Sequence, residues 1–397
     1  MESKLKSLIR KRWILFGAAV AAILIVILVV LAPGKQSMYS AATTAVNKDE
    51  HMQTITEMGK PRHKRPVVAI VAFNQATEIT DLVIPYGVLK RANVADVTIV
   101  AEKMTPVSLY PFSKLGQGSE LFKIDPQASM ESFDKQYPDG ADYVIIPALE
   151  PRDDKVVVDW IKAQHDKGAH IVSVCAGALT LAATGLLDGR QATTHWAYID
   201  DLKKAHPTAQ IVRDQRYVAD NGITTATGIS ASLPVTVALV AAIAGTPKAE
   251  QLAQDLGMAY WDERHRSSDF ELTWEHKKTF MRNWVSFWRQ ETLGVPVKEG
   301  VDEIALALTV DAYSRTSLAK VLTMGDSDEP VRGKYGLMIY TNASKDASVK
   351  ETLPLPDPDM PARTIDRVLE QIAERYGRPT ADIVALTLEY PWMRRAK

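Results

Sequence analysis

Three rhythms of hydrophobic and polar residues divide this chain. Residues 13–32, WILFGAAVAAILIVILVVLA, are apolar and carry no charge. Residues 33–65 are polar and weakly patterned, with room for one short helix, and read as a tether. From Pro66 onward, short β-branched runs alternate with stretches at helical spacing. VVAIVAF, DVTIVAE, ADYVIIPALE and AHIVSVC have the continuous apolar look of buried parallel strands. Between them, DLVIPYGVLKRA, DDKVVVDWIKAQHDKG and AGALTLAATGLL space their apolar residues as helices do. AQIVRDQRYVADNGITTATG predicts a hairpin that turns at Asn221-Gly222, and SASLPVTVALVAAIAG predicts a helix near residues 230–245, with Pro234 tolerated in its first turn. This alternation predicts a three-layer α/β sandwich with a parallel sheet over residues 66–256.

Residues 257–397 are less regular. RSSDFELTWEHKKTFMRNWVSFWRQE carries Trp274, Phe280, Trp284, Phe287 and Trp288, a stripe that predicts packing of a helix on a core. The stretch from Val301 can be laid along residues 76–125: Glu303 falls on Glu78 and AKVLT on ADVTIV. The C-terminal stretch TIDRVLEQIAERYGRPTADIVALTLEY runs helix to helix and supplies no second cysteine. These residues read as a second, degenerate α/β subdomain, a partial repeat without its own nucleophile; the alternative is that they complete the first sheet.

Charge gives the amino terminus a direction. Residues 1–12 hold Lys4, Lys6, Arg10, Lys11 and Arg12, and the apolar run follows at once. About 20 helical residues at ~1.5 Å rise match a hydrocarbon slab of roughly 30 Å. A single-pass transmembrane anchor over 13–32 is therefore expected, with the basic tail of residues 1–12 cytoplasmic, Trp13 at the interface and everything beyond Pro33 extracytoplasmic. A cleaved secretory signal is the competing reading, disfavoured by the length of the run and the lack of an A-x-A site. The 47 basic and 48 acidic residues leave a formal net charge of -1, which supplies no field for a polyanion, so nucleic acid is not an expected partner. The membrane itself, a small-molecule ligand, a second copy of the chain and an envelope protein are.

One cysteine, Cys175, excludes internal disulfides and thiolate clusters; the eight histidines show no H-E-x-x-H or other paired spacing, so no metal is expected. GQGS at 116–119 follows no strand that opens a helix, and no other glycine-rich phosphate loop is present, so no cofactor is expected. In IVSVCAGALTLAATG a strand stops at Cys175 and a helix begins in the next residue, which sets the thiol against free backbone N–H groups that favour a negative charge. Ala176 and Gly177 keep the turn uncrowded, so the Ala176 N–H can face a developing oxyanion. Packing alone is the competing reason for a cysteine in such a run.

SVCAGALTLAATGLLDGRQATTHW resembles the nucleophile region of the DJ-1/PfpI (ThiJ/PfpI, class I glutamine amidotransferase-like) superfamily, in particular the branch of isocyanide hydratases and of amino-terminal domains of AraC-type regulators. The resemblance covers about residues 66–250 and implies a flavodoxin-like sandwich. It implies that Cys175 is the family cysteine, that His195 in TTHW is the histidine near it, and that Asp81 in ITDLVIP is the acid beside the thiol. Two departures stand out. Where the family has Pro-Gly-Gly, whose backbone helps form an oxyanion hole, this chain has Pro-Ala-Leu, with Ala148 and Leu149 in the glycine places. Leu149 is expected to crowd the site. Ala176 takes the place of a threonine characteristic of the hydratases.

Two functions compete. One is a non-catalytic module for ligand binding, redox sensing or partner docking. The other is a cysteine-dependent hydratase or lyase acting on small electrophiles such as isocyanides, in which Cys175 attacks, Asp81 moves the proton and the backbone of Ala176, Ala148 and Leu149 stabilises the adduct. Whether the chain is an enzyme stays open on sequence alone.

Overall fold

The computed structural model describes residues 46–115, 118–355 and 359–392. A seven-stranded sheet forms the first domain, in the order Tyr217–Asp220, Ile223–Ala226, His170–Ser173, Tyr143–Ile146, Val67–Ala72, Asp96–Ala101 and Ala128–Ser129. Every pairing is parallel except that of Tyr217–Asp220 with Ile223–Ala226, the hairpin that turns at Asn221 and Gly222, both at positive φ. Helices cover both faces because the central strands are apolar on both: Val67–Ala72 and Tyr143–Ile146 are buried at every position. Two hydrophobic cores result, one holding Ile70, Ile145 and Cys175, the other Val71, Ile146 and Leu149.

The second domain has a sheet of its own rather than completing the first. Its four strands run in the order Ala343–Ser344, Ala319–Gly325, Glu291–Pro296 and Glu351–Thr352, all parallel. The unit Glu291–Pro296, helix Glu303–Ser314, Ala319–Gly325 repeats the order of Val67–Ala72, helix Ile79–Ala92, Asp96–Ala101, with the two strands of each unit adjacent and parallel. The two helices pack against each other where Gly87 leaves room: a Cβ there would stand 2.7 Å from Ile304 Cγ1. A third, mixed sheet is shared between the domains, since Met338–Tyr340 pairs antiparallel with Phe122–Ile124.

Two expectations are corrected. Among the described residues no helix is long and apolar enough to cross a membrane. The longest, Ile79–Ala92, has 14 residues, a rise of about 21 Å against a slab of roughly 30 Å. The transmembrane span expected over 13–32 lies outside the described residues. The architecture is thus an α/β fold with a second domain; the anchor, the membrane as partner through residues 13–32 and the extracytoplasmic placement that followed from it are withdrawn. The aromatic stripe also differs from expectation. Helix Trp274–Val285 buries His276, Thr279 and Asn283, whereas Trp284, Phe287 and Trp288 are 64%, 75% and 71% exposed. The stripe reads as core packing because aromatic content is visible in sequence while the direction of the face is not. Trp284 and Phe287 line a cavity of about 430 Å³ that Arg315 also lines.

The close approach of the two repeated helices yields a test. Gly87→Val overfills the Ile304 contact and is expected to cost about 1–3 kcal/mol in denaturant unfolding. Adding Ile304→Ala should restore part of that loss, whereas a second loss on top of the first would show that the contact is not the one described.

Candidate site at the Cys175 elbow

Strand His170–Ser173 delivers Val174 and Cys175 to the carboxyl edge of the sheet, and helix Gly177–Ala183 leaves from it. Cys175 has φ 55, a left-handed conformation uncommon outside glycine. Hydrogen bonds hold it there: the Cys175 N–H donates to Thr227 O at 2.9 Å, and its carbonyl accepts from Thr194 Oγ1 at 2.7 Å. Gly177 allows the turn to close, since a Cβ would stand 2.2 Å from Ile146 O.

Asp81 lies in the first turn of helix Ile79–Ala92 and is fully buried. The structure brings it to the thiol: each of the two groups bears on the titration of the other. Asp81 Oδ2 accepts from the Ala148 N–H at 3.1 Å, while Oδ1 has no nitrogen or oxygen donor. One expected oxyanion donor is therefore already engaged by a carboxylate. Of the other two, the Ala176 N–H is directed to Cys175 Sγ, and Leu149 forms an isolated antiparallel bridge with Thr77. Leu149 does not crowd the thiol: it belongs to the core with Phe73 and Val157, on the other side of the sheet from Ala148 and Cys175. Successive residues of an extended segment face opposite ways.

His195 is buried, with Nε2 3.2 Å from Thr387 O and Nδ1 3.2 Å from the Ala197 N–H. These partners require Nε2–H to donate to the carbonyl and Nδ1 to accept, a neutral ring with both nitrogens occupied. Burial lowers its pKa, against a smaller pull from Glu389. The ring secures the C-terminal segment, and its nitrogens are not offered to the thiol.

Several site residues escape sequence reasoning. Glu78 caps the Asp81 helix: its Oε2 accepts from the Asp81 N–H at 2.7 Å and from Thr80 Oγ1 at 2.9 Å. Its Oε1 accepts from Arg315 Nη2 at 3.0 Å. Arg315 belongs to the second domain, where its Nε also donates to both oxygens of Asp311 at 2.9 Å and its Nη1 to Phe112 O at 2.8 Å. The only signal in sequence was the alignment of Glu303 on Glu78, which placed the neighbouring helix in the same frame. Tyr198, also buried, sits close enough to feel the thiol's charge, and the Lys114 ammonium and Arg152 guanidinium lie 4.8 and 4.7 Å from its ring centroid.

The electrostatics follow from the count of charges. Asp81, Glu78 and Asp311 are fully buried around one guanidinium, so one cation faces three carboxyl groups. Burial pushes Asp81 up to about 7, with the Ala148 N–H and Arg315 opposing it. Burial and the charges of Asp81 and Asp311 push Glu78 well above the carboxylate range. Burial, with Asp81 and Glu78 adding to it, raises the Cys175 thiol well above its ordinary value, outweighing the Ala176 N–H. The lowering expected from a helix start does not survive this environment. Cys175 is 3% exposed.

Such a site, a cysteine elbow at the carboxyl edge of a doubly wound sheet with an acid beside it, defines a class of α/β proteins. The model of the DJ-1/PfpI family matches residues 66–242. The isonitrile hydratase of Pseudomonas putida is 31% identical over 198 residues, which span 48% of this chain and 78% of the hydratase. The chain belongs to the DJ-1/PfpI family. The HTH-type transcriptional regulator GlxA of Rhizobium meliloti is 40% identical over 86 residues, 22% of this chain and 26% of the regulator. Among solved structures, DJ-1beta of Drosophila melanogaster aligns with a TM-score of 0.42 and 22% identity, over 49% of this chain and 100% of its own.

The buried acids yield two predictions. Asp81 keeps its proton to about pH 7 in the folded protein but loses it near 3.8 when unfolded, so the folded state binds more protons in that window and stability falls as pH rises through it. Asp81→Asn should make this fall shallower by about 1.4 kcal/mol per pH unit in mid-window, read by urea unfolding across pH. Arg315→Met leaves Glu78 and Asp311 without their cation and should cost about 3–5 kcal/mol near neutral pH. Acid conditions that protonate the carboxyls should shrink the loss; an equal loss at every pH would mean that packing, not charge, holds Arg315.

Proposed function

We propose that this protein is a non-catalytic, ligand-binding member of the DJ-1/PfpI family, in which the cysteine elbow is a sealed structural and electrostatic element. The closure of Cys175 carries this reading: the thiol is 3% exposed and held protonated by burial and by two neighbouring carboxyl groups. A nucleophilic cysteine needs thiolate character and access, and so does one that senses oxidants. The same observation therefore weighs against the hydratase and redox-sensing readings. The engagement of the Ala148 N–H by Asp81 and of both His195 nitrogens supports it, because neither an open oxyanion donor at Ala148 nor a free histidine base remains.

One observation favours the second reading, a cysteine-dependent hydratase or lyase for small electrophiles: the likeness to an isonitrile hydratase extends over most of that enzyme. In that case the elbow would have to open before a substrate reached Cys175, which is almost wholly buried.

Two measurements on the full chain decide between them. Native Cys175 should react with iodoacetamide on the order of 100-fold or more slower than in the urea-unfolded chain. Wild type and Cys175→Ser should hydrate cyclohexyl isocyanide at the same background rate. Turnover that disappears with the serine variant would make the protein an enzyme and reverse the proposal.

A further inference from the structure

A second cavity, of about 470 Å³, opens on the seam between the two domains, within the roughly 300–1,000 Å³ range of small-molecule sites. Its walls come from both domains and are mixed: an apolar side is formed by Ile84 and Leu233 from helices of the first, Leu308 and Ile365 from helices of the second, and Leu388 from the C-terminal segment, and charged residues stand at the rim. One charged side chain stands among the buried lining residues, and it is Arg216.

Arg216 precedes strand Tyr217–Asp220. Because that strand runs antiparallel to its neighbour, its start lies at the edge where the parallel strands end. The backbone shows the adjacency: the Thr227 N–H donates to Arg216 O at 2.8 Å, and Thr227 O accepts from the Cys175 N–H at 2.9 Å. Ligands of doubly wound sheets bind at this edge.

Arg216 is 7% exposed, and among the described residues its guanidinium has no hydrogen-bond or ion-pair partner; it lies 5.3 Å from the ring centroid of Tyr260, and its charge reaches the hydroxyls of Tyr217 and Tyr390. Arg315, equally buried at 8%, meets two carboxylates and a carbonyl. Five N–H donors and a fixed charge are costly to bury unpaired. The nearby acids are taken up elsewhere: Asp262 pairs with Arg264, Glu263 with His51, and Asp366 accepts from the Tyr390 hydroxyl. The rim carries two exposed acids, Asp366 and Glu370, and two exposed arginines, Arg363 and Arg367, so the charged lining residues sum to one positive charge with Arg216.

We propose that this cavity binds a small organic anion, whose carboxylate or phosphate head group pairs with Arg216 while its apolar body lies along Ile84, Leu233, Leu308 and Leu388. The assignment rests on the ligand-binding reading above and gives it a site and a ligand class.

The full chain is titrated with hexanoate, hexyl phosphate and hexanol, followed by calorimetry and by thermal unfolding. At least one anion is expected to bind saturably and raise Tm, and hexanol to do neither; which anion binds more tightly separates a carboxylate from a phosphate ligand. Arg216→Gln should weaken anion binding by about 10- to 100-fold. Without ligand this variant should unfold at the wild-type temperature or above, since it removes an uncompensated charge. Ala362→Trp, which fills the cavity and leaves the guanidinium in place, should abolish binding. The assignment is overturned if no anion binds, if hexanol binds as well as hexanoate, if Arg216→Gln binds as wild type does, or if that variant loses Tm without ligand, as a structural arginine would. Cys175-dependent isocyanide turnover beside intact anion binding would instead overturn the non-catalytic reading and leave this site standing.

Discussion

The guanidinium of Arg315 ties the second domain to the first beside the elbow and sets the elbow's chemistry. From the second domain it reaches Glu78 at 3.0 Å; Glu78 holds the backbone of Asp81, and Asp81 holds the backbone of Ala148 beside Cys175. Each link is a hydrogen bond between buried groups, where an unmade partner costs more than a made one gains. Arg315 lies outside the segment matched by the family model, residues 66–242. The electrostatic state of a family site is thus fixed by a residue that the family segment does not contain. One positive charge among three buried carboxyl groups cannot neutralise them all, and the surplus is met by protons on Asp81 and Glu78.

That arrangement explains why the elbow keeps its form without the ordinary consequence of that form. Cys175 retains a left-handed backbone at a strand end and an N–H aimed at its sulfur, the second of which favours a thiolate. A helix start contributes only fractions of a charge, however, and Gly177–Ala183 is a helix of seven residues. Full burial beside two acids outweighs it.

Elements with one apolar face and local turns were legible in the sequence. Strand and helix alternation, the hairpin at Asn221-Gly222, the helix over Ser232–Ala244 and the meeting of Asp81 with Cys175 each depend on patterns within a few tens of residues or on the rule that strand ends share an edge. What sequence could not carry was direction and distance. Leu149 differs from Ala148 by one step of an extended chain, and that step moves its side chain to the other core. The aromatic run around Trp284 announces a face but not which way it turns. Arg315 and Glu78 are 237 positions apart, and no periodicity relates them except the weak repeat that aligned their helices.

The C-terminal segment at 386–390 ties the second domain to the residues that follow Thr194, whose hydroxyl holds the Cys175 carbonyl. Thr387 O takes His195, Leu386 O accepts from Trp196 Nε1 at 2.8 Å, Glu389 Oε2 accepts from the Trp196 N–H at 3.1 Å, and Glu389 O accepts from Ser230 Oγ at 2.6 Å. Leu388 and Tyr390, on the same segment, are walls of the Arg216 cavity. With the Ser230 N–H donating to Leu388 O at 3.0 Å and the Tyr390 hydroxyl to Asp366 Oδ1 at 2.8 Å, six hydrogen bonds at about 0.5–1.5 kcal/mol each must break together for the segment to lift, and the buried His265, 3.1 Å from Glu389 Oε1, would lose its partner as well. Lifting it would also take away a wall of the cavity. A molecule seated against Leu388 therefore stabilises the arrangement in which Thr387 O holds His195.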